Sequence, residues 1–189
     1  AARLAALLAD RPRGLRCRLT KRIPMGGGMG GGSSNAAATL LALNDRWVLG
    51  QTRDGLAELG ARLGSDVPLF LAGDSAVIRG RGERVEPMRL PWHGWITLLL
   101  PGLSVATAAV YRACRPDRQK LRPVVPQATA NAVEWMDGTF NMLEEPAFEV
   151  CPALAEIAGE AAVLAGRPVR VSGSGSTMFT AFDGRDEAL

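Results

Sequence analysis

The chain has 189 residues, 47% of them hydrophobic and 22% charged, a balance that supports a packed core and excludes an intrinsically disordered chain. No apolar run approaches the ~20 residues of a membrane span. The net charge of +3 is mild, and the cluster Arg11, Arg13, Arg16, Arg18, Lys21 and Arg22 has no interleaved aromatic residues to stack bases, so no nucleic-acid partner is expected.

Leu4, Leu7 and Leu8 mark one face of a helix, and the opening reads as the interior of a domain rather than a signal peptide. Leu15-Arg16-Cys17-Arg18-Leu19-Thr20 alternates as a half-exposed strand does. A glycine segment follows, Pro24-Met25-Gly26-Gly27-Gly28-Met29-Gly30-Gly31-Gly32-Ser33-Ser34, and then an alanine-rich helix that Ser33 or Ser34 can cap and that runs to about Leu49, with Gly50 as its stop. Residues 54–63 read as a second helix, closed by Gly64, and Ser65-Asp66-Val67-Pro68-Leu69-Phe70 as an extended segment. Strands are expected at 76–78 and 84–88, flanking Gly80-Arg81-Gly82-Glu83. A composition change at residues 87–95 suggests a lobe boundary. Beyond it come a buried strand at 96–100, a helix at 107–113, a proline-bearing connection at 116–126, and two or three helices, the clearest at 152–165. Strands at 169–171 and 178–182 are joined by Ser172-Gly173-Ser174-Gly175-Ser176-Thr177. Cys17, Cys114 and Cys151 are far apart and form no C-x-x-C pair, which argues against a disulfide framework or zinc site and fits a reducing cytoplasm.

The glycine segment carries the chemistry. Six glycines in seven positions lose much conformational entropy on folding, a cost that makes sense where a ligand approaches the backbone. A helix N-terminus leaves N–H groups unpaired and bears partial positive charge, so glycines before it let amides surround a phosphate. A flexible linker or tight turn is the alternative. The P-loop pattern is excluded because Ser33 stands where its lysine belongs, and the dinucleotide fingerprint because no acidic residue ends a strand about 20 residues on.

Residues 23–37, Ile23-Pro24 through Asn35-Ala36-Ala37, resemble the second motif of the GHMP small-molecule kinases, the family named for galactokinase, homoserine kinase, mevalonate kinase and phosphomevalonate kinase. The likeness continues in order through Leu63-Gly64-Ser65-Asp66-Val67-Pro68, Gly80-Arg81-Gly82-Glu83, Pro101-Gly102-Leu103-Ser104-Val105, Phe140-Asn141 with Leu143-Glu144, and Ser172-Gly173-Ser174-Gly175. This wording is similar to the branch that phosphorylates 4-diphosphocytidyl-2-C-methyl-D-erythritol.

The resemblance implies transfer of the γ-phosphoryl group of ATP, with Mg²⁺, to the 2-hydroxyl of that small molecule in the non-mevalonate route to isoprenoids. It implies an α+β two-lobe fold: residues 1–91 like domain 2 of ribosomal protein S5, and residues 92–189 ferredoxin-like. Pro24, Met25, Gly26, Gly27, Gly28, Met29, Gly30, Gly31, Gly32, Ser33 and Ser34 would cradle the phosphates. Ser33 or Ser34 would also hold Mg²⁺ unless both are only helix caps. Asp66 matches the family's catalytic base; read as a residue alone, it is a turn cap before Pro68. Gly173 and Gly175 match the third motif, a turn near the substrate, although a plain β-turn would use the same letters. His93 matches no motif and reads as a surface or packing residue, and Trp47, Trp92, Trp95 and Trp135 read as packing residues.

Departures concern extent. The family's Pro-Ala-Lys motif, which supplies an active-site lysine, and its Gly-Tyr-His segment, which helps hold the cytidine ring, belong before the position of Ala1. Its last helix and strand belong after Phe182. Met29 and Met142 stand where Leu and Asp are common. The expectation is that the 189-residue chain alone is inactive. Another GHMP kinase, acting on mevalonate, a sugar or homoserine, and a non-catalytic nucleotide-binding module are the alternative readings.

Overall fold

The computed structural model describes residues 14–73, 75–80, 82, 84–90, 92–115 and 131–189. The expected helix at Leu4 to Leu8, the connection at 116–126, and Arg81 and Glu83 lie outside them. Contacts divide the chain into two units, one comprising residues up to Arg22 with Gly30–Arg89, the other Ile23–Met29 with Leu90–Leu189. Both mix helices with antiparallel sheet, the α+β class.

The first unit holds helices α1 (Gly31–Arg46), α2 (Arg53–Ala61) and α3 (Val67–Ala72), followed by the hairpin β1 (Ala76–Arg79) and β2 (Arg84–Pro87). Ala37, Leu40 and Leu43 recur at helical spacing on α1 and pack with Leu56 of α2 and Val67 and Leu71 of α3, all nearly inaccessible to solvent; this periodic burial is what holds short helices together in water. Thr52 caps α2, its hydroxyl accepting from the Gly55 N–H at 3.1 Å. Arg53 closes α3, its guanidinium donating to the Leu71 carbonyl at 2.7 Å.

Four sequence expectations change. Residues 15–20 form no strand: an alternating run becomes a strand only beside a neighbour that takes its backbone groups, and none pairs with it among the described residues. Ser65 to Phe70 is not extended, because residues 67–72 form α3 with proline in the first turn, where a missing N–H leaves no bond unmade. Neither Ser33 nor Ser34 caps α1; the helix begins at Gly31 with Gly30, at φ 62, before it. Its end comes at Arg46 rather than Leu49, since Val48 turns left-handed at φ 52 and the Asn44 side chain exchanges hydrogen bonds with the Gln51 backbone at 3.0 and 2.9 Å.

The second unit contains β3 (Trp95–Leu99), α4 (Thr107–Ala113), α5 (Ala132–Gly138), α6 (Glu144–Val150), α7 (Pro152–Ala165), β4 (Arg170–Val171) and β5 (Met178–Phe182). The sheet order is β3-β5-β4, antiparallel throughout, with Trp95 opposite Phe182 and Arg170 opposite Phe179. Val110, Ala147, Leu154, Val171 and Met178 form its main core. The β3 strand is not buried as expected. It is an edge strand, and Ile96 and Leu98 are half exposed. His93 is exposed; Trp92 packs against Trp135 as expected, their rings stacked 5.1 Å apart, whereas Trp95, expected to pack, is half exposed on β3. No helix among the described residues is long and apolar enough to cross a membrane.

Candidate functional site

The glycine segment divides between the units at Met29 and Gly30. In the second unit, Gly27 and Gly28 lie against the turn 172–177. The Gly27 carbonyl accepts from the Thr177 N–H at 3.3 Å, and the Gly28 carbonyl accepts from the Ser172 hydroxyl at 3.0 Å. Gly28 adopts φ 75, and a Cβ there would stand 1.9 Å from the Ser172 carbonyl oxygen. Reciprocally, a Cβ on Gly173 would meet the Gly28 oxygen at 2.9 Å. Two glycine stretches far apart in sequence thus pack backbone on backbone, a distance only glycine permits. The predicted residues Gly28, Gly173 and Gly175 are brought together here. Ser172 and Thr177 belong to the turn that the sequence marks, but their support of the segment was not expected, because their partners Gly28 and Gly27 lie far away along the chain.

In the first unit the other half of the segment opens α1. The N–H groups of Gly31, Gly32 and Ser33 have no intrahelical acceptor, and the first turn carries no acidic residue to neutralise the helix dipole. Space above Gly32 is open, with nothing within 4 Å of where a Cβ would stand. Ser34 turns its hydroxyl inward, donating to the Gly31 carbonyl at 3.1 Å. Ser33 makes no side-chain hydrogen bond among the described residues.

Asp66 stands at the N-cap position of α3, yet its side chain makes no capping bond. Its carboxylate is exposed and accepts from the Ser65 hydroxyl at 3.2 Å. One turn further along α3, the Phe70 ring lies 2.8 Å from where a Gly30 Cβ would be. Phe70 lies four residues after Asp66, about 6 Å along the helix axis. Behind Asp66, Gly82 presses on the Ser65 carbonyl: a Cβ there would come within 2.4 Å of that oxygen.

Among the described residues, no group of three or more His, Cys, Asp or Glu side chains is placed to hold a metal. A cleft of about 560 Å³ in the first unit is lined by Ala57, Pro68, Leu71 and Val85, with Arg53 and Glu58 at its polar side; none of the predicted site residues lines it.

Comparison with known proteins accounts for this arrangement. The family model described as "GHMP kinases N terminal domain" matches residues 1–74, and "GHMP kinases C terminal" matches residues 112–189. A Thermus thermophilus protein named 4-diphosphocytidyl-2-C-methyl-D-erythritol kinase is 43% identical over all of this chain and 67% of its own length. A Nitrosococcus oceani protein of the same name is 37% identical over 99% of this chain and 65% of its own. The chain therefore spans about two thirds of the length of these curated relatives. A solved structure, the crystal structure of 4-(cytidine 5'-diphospho)-2C-methyl-D-erythritol kinase, superposes with a TM-score of 0.76 at 40% identity, covering 98% of this chain and 69% of that one. A glycine segment opening onto a helix, a G-x-D-V-P turn and a second glycine turn, in one order and one fold, lead to a single conclusion: the chain belongs to the GHMP kinase family.

Proposed function

We propose that the protein is an ATP-dependent kinase that transfers the γ-phosphoryl group to the 2-hydroxyl of 4-diphosphocytidyl-2-C-methyl-D-erythritol. The observation that carries this reading is the open, uncompensated start of α1 beyond Gly28, a segment whose amides suit phosphate oxygens. The acceptor follows from relatives bearing that name at 37–43% identity.

Phosphoryl transfer asks the protein chiefly for alignment and for stabilisation of charge on the phosphate oxygens. In the segment Pro24 through Ser34, the backbone N–H groups from Met25 onward bind the phosphate chain, and Pro24, which has no N–H, fixes the backbone where the segment begins. Asp66 accepts the hydroxyl proton as the substrate oxygen bonds to the γ-phosphorus and the bond to the β–γ bridging oxygen breaks, releasing ADP. A carboxylate is a far weaker base than an alkoxide, so proton transfer is late, when bonding to phosphorus has made the hydroxyl acidic. Mg²⁺ bound with ATP would neutralise phosphate charge, held mainly by the phosphates and water with a serine hydroxyl at the start of α1 as one protein oxygen. Ser33 fits that role better than Ser34, whose hydroxyl is engaged with Gly31. Gly173 and Gly175 shape the support of the glycine segment on the substrate side, and residues 1–91 and 92–189 are read as the two lobes.

The test uses the 189-residue chain and a version extended to the length of its relatives. The extended protein is expected to consume the substrate only with ATP and Mg²⁺, and the shorter chain to bind a fluorescent ATP analogue without turnover. An extended protein that phosphorylates mevalonate, a sugar or homoserine in preference would overturn the acceptor assignment. Failure of both chains to bind nucleotide would overturn the kinase reading.

A further inference from the structure

Asn141 lies between α5 and α6 with every strong group of its amide in use. Its Nδ2 donates to the Val171 carbonyl at 2.8 Å and the Gly173 carbonyl at 2.7 Å, and its Oδ1 accepts from the Leu143 N–H at 3.0 Å. Both donors are committed, and reversing the amide would break all three bonds. Ser172 sits between the two carbonyls that Asn141 holds, and its hydroxyl donates onward to Gly28. Glu144 reinforces the same point: its Oε2 accepts from the Val171 N–H at 2.8 Å, and Oε1 lies 3.5 Å from Arg170.

We propose that Asn141 is a positioning residue for the glycine segment, fixing through the 171–173 turn the backbone of Gly27 and Gly28 and thereby the affinity for nucleotide. The inference concerns the second unit alone, and its link to nucleotide rests on the phosphate-binding reading above. The turn has bonds of its own, from the Ser172 N–H to the Thr177 carbonyl and from the Gly175 N–H to the Ser172 carbonyl, but these close it only upon itself. Ser174 and Ser176 tie its far side, to the Thr107 hydroxyl at 2.9 Å and the Leu103 carbonyl at 2.6 Å, and Asn141 ties the near side, residues 171–173, to the segment between α5 and α6. The close fit of Gly28 against the Ser172 carbonyl leaves little slack, so a rotation of that carbonyl is transmitted to the glycine segment.

Asn141→Asp retains the size and the acceptor for Leu143 but turns a carboxylate toward two carbonyls in place of two donors. Backbone amide spectra and hydrogen exchange of the nucleotide-free chain are compared for parent, Asn141→Asp and Ser172→Ala, together with titration of a fluorescent ATP analogue. The expected result is faster exchange and shifted signals at Gly27, Gly28 and Met29 in both variants, with residues within α1 unmoved. ATP affinity should fall about tenfold, the loss of one well-formed hydrogen bond's worth of alignment. Changes confined to residues 139–143 and 171–173, with Gly27 and Gly28 unaltered, would overturn the proposal. If Asn141→Asp does not fold, Ser172→Ala decides it, since that change removes only the last link, and an unmoved glycine segment then refutes the relay. The amide readout needs no nucleotide, so a parent that fails to bind ATP refutes the phosphate reading separately.

Discussion

Replacing Gly32 by valine separates phosphate binding from folding. A Cβ at this position has nothing within 4 Å, and Gly32 lies within the helical span of α1, so the valine Cβ meets no neighbour and the backbone conformation is one that a side chain accepts. Valine also has somewhat better helix propensity than glycine, by a few tenths of a kcal/mol, less near a helix end. For a chain of this size 1 kcal/mol corresponds to about 2–4 °C in Tm, so Tm should stay within ~2 °C of the parent. Phosphate binding is another matter. An oxygen bonded to a backbone N–H lies about 2.7–3.2 Å from the nitrogen, whereas a valine methyl needs roughly 3.5–4.0 Å from any neighbour. The branched side chain fills the space from which phosphate must approach. Losing two hydrogen bonds to a charged group, at about 1.5–3 kcal/mol each, should weaken ATP binding by at least ~10²-fold. Titration of a fluorescent ATP analogue beside a thermal melt measures both quantities. Unchanged affinity with unchanged Tm would refute the phosphate assignment, and a Tm lower by more than ~5 °C would refute the reading of Gly32 as an open position.

Gly28→Ala is expected to do the reverse at the other half of the segment: the left-handed backbone costs about 1–2 kcal/mol, the lost Ser172 bond about 1 more, and the collision of the Cβ with the Ser172 carbonyl adds to both, so Tm should drop by at least ~4 °C in a melt, with nucleotide affinity falling alongside. Gly82→Ala combines φ +117 with an approach of 2.4 Å to the Ser65 oxygen; it should lower Tm and, in the extended protein, reduce kcat, both from displacement of the turn bearing Asp66. Asp66→Asn in the extended protein should lower kcat by ~10²–10⁴-fold, as read by ADP release. Because the Asp66 side chain is exposed and makes no capping bond, Tm and ATP affinity should be unaltered, and a near-parental kcat would return Asp66 to a structural role.

Much of the chain is legible from its residues alone. The helix at 107–113 and the strand at 178–182 have the bounds that the sequence predicts, and so does the helix at 152–165, because apolar spacing, proline at the first turn and glycine at the end are local signals. The glycine segment stands out for the same reason, as does the family pattern built on it. The expectations that fail are those that depend on a neighbour. Residues 15–20 alternate correctly but have no strand beside them among the described residues, β3 is apolar yet lies at a sheet edge, and residues 67–72 coil into α3 because Val67 and Leu71 find the core beside Leu40 and Leu56. The serines do not cap α1 because Gly30 already turns the chain into the helix.

By itself, then, the order of residues determined where the backbone must be bare, the helices marked by local signals such as 152–165 and the kinase family to which the pattern belongs, since each depends on interactions within a few residues. Tertiary structure alone decided that Gly28 is held by Ser172, 144 positions away, that Asn141 braces the turn between them, and that Asp66 begins a helix without capping it. Such contacts are set by which surfaces meet when the cores close, and no spacing along the chain encodes that meeting.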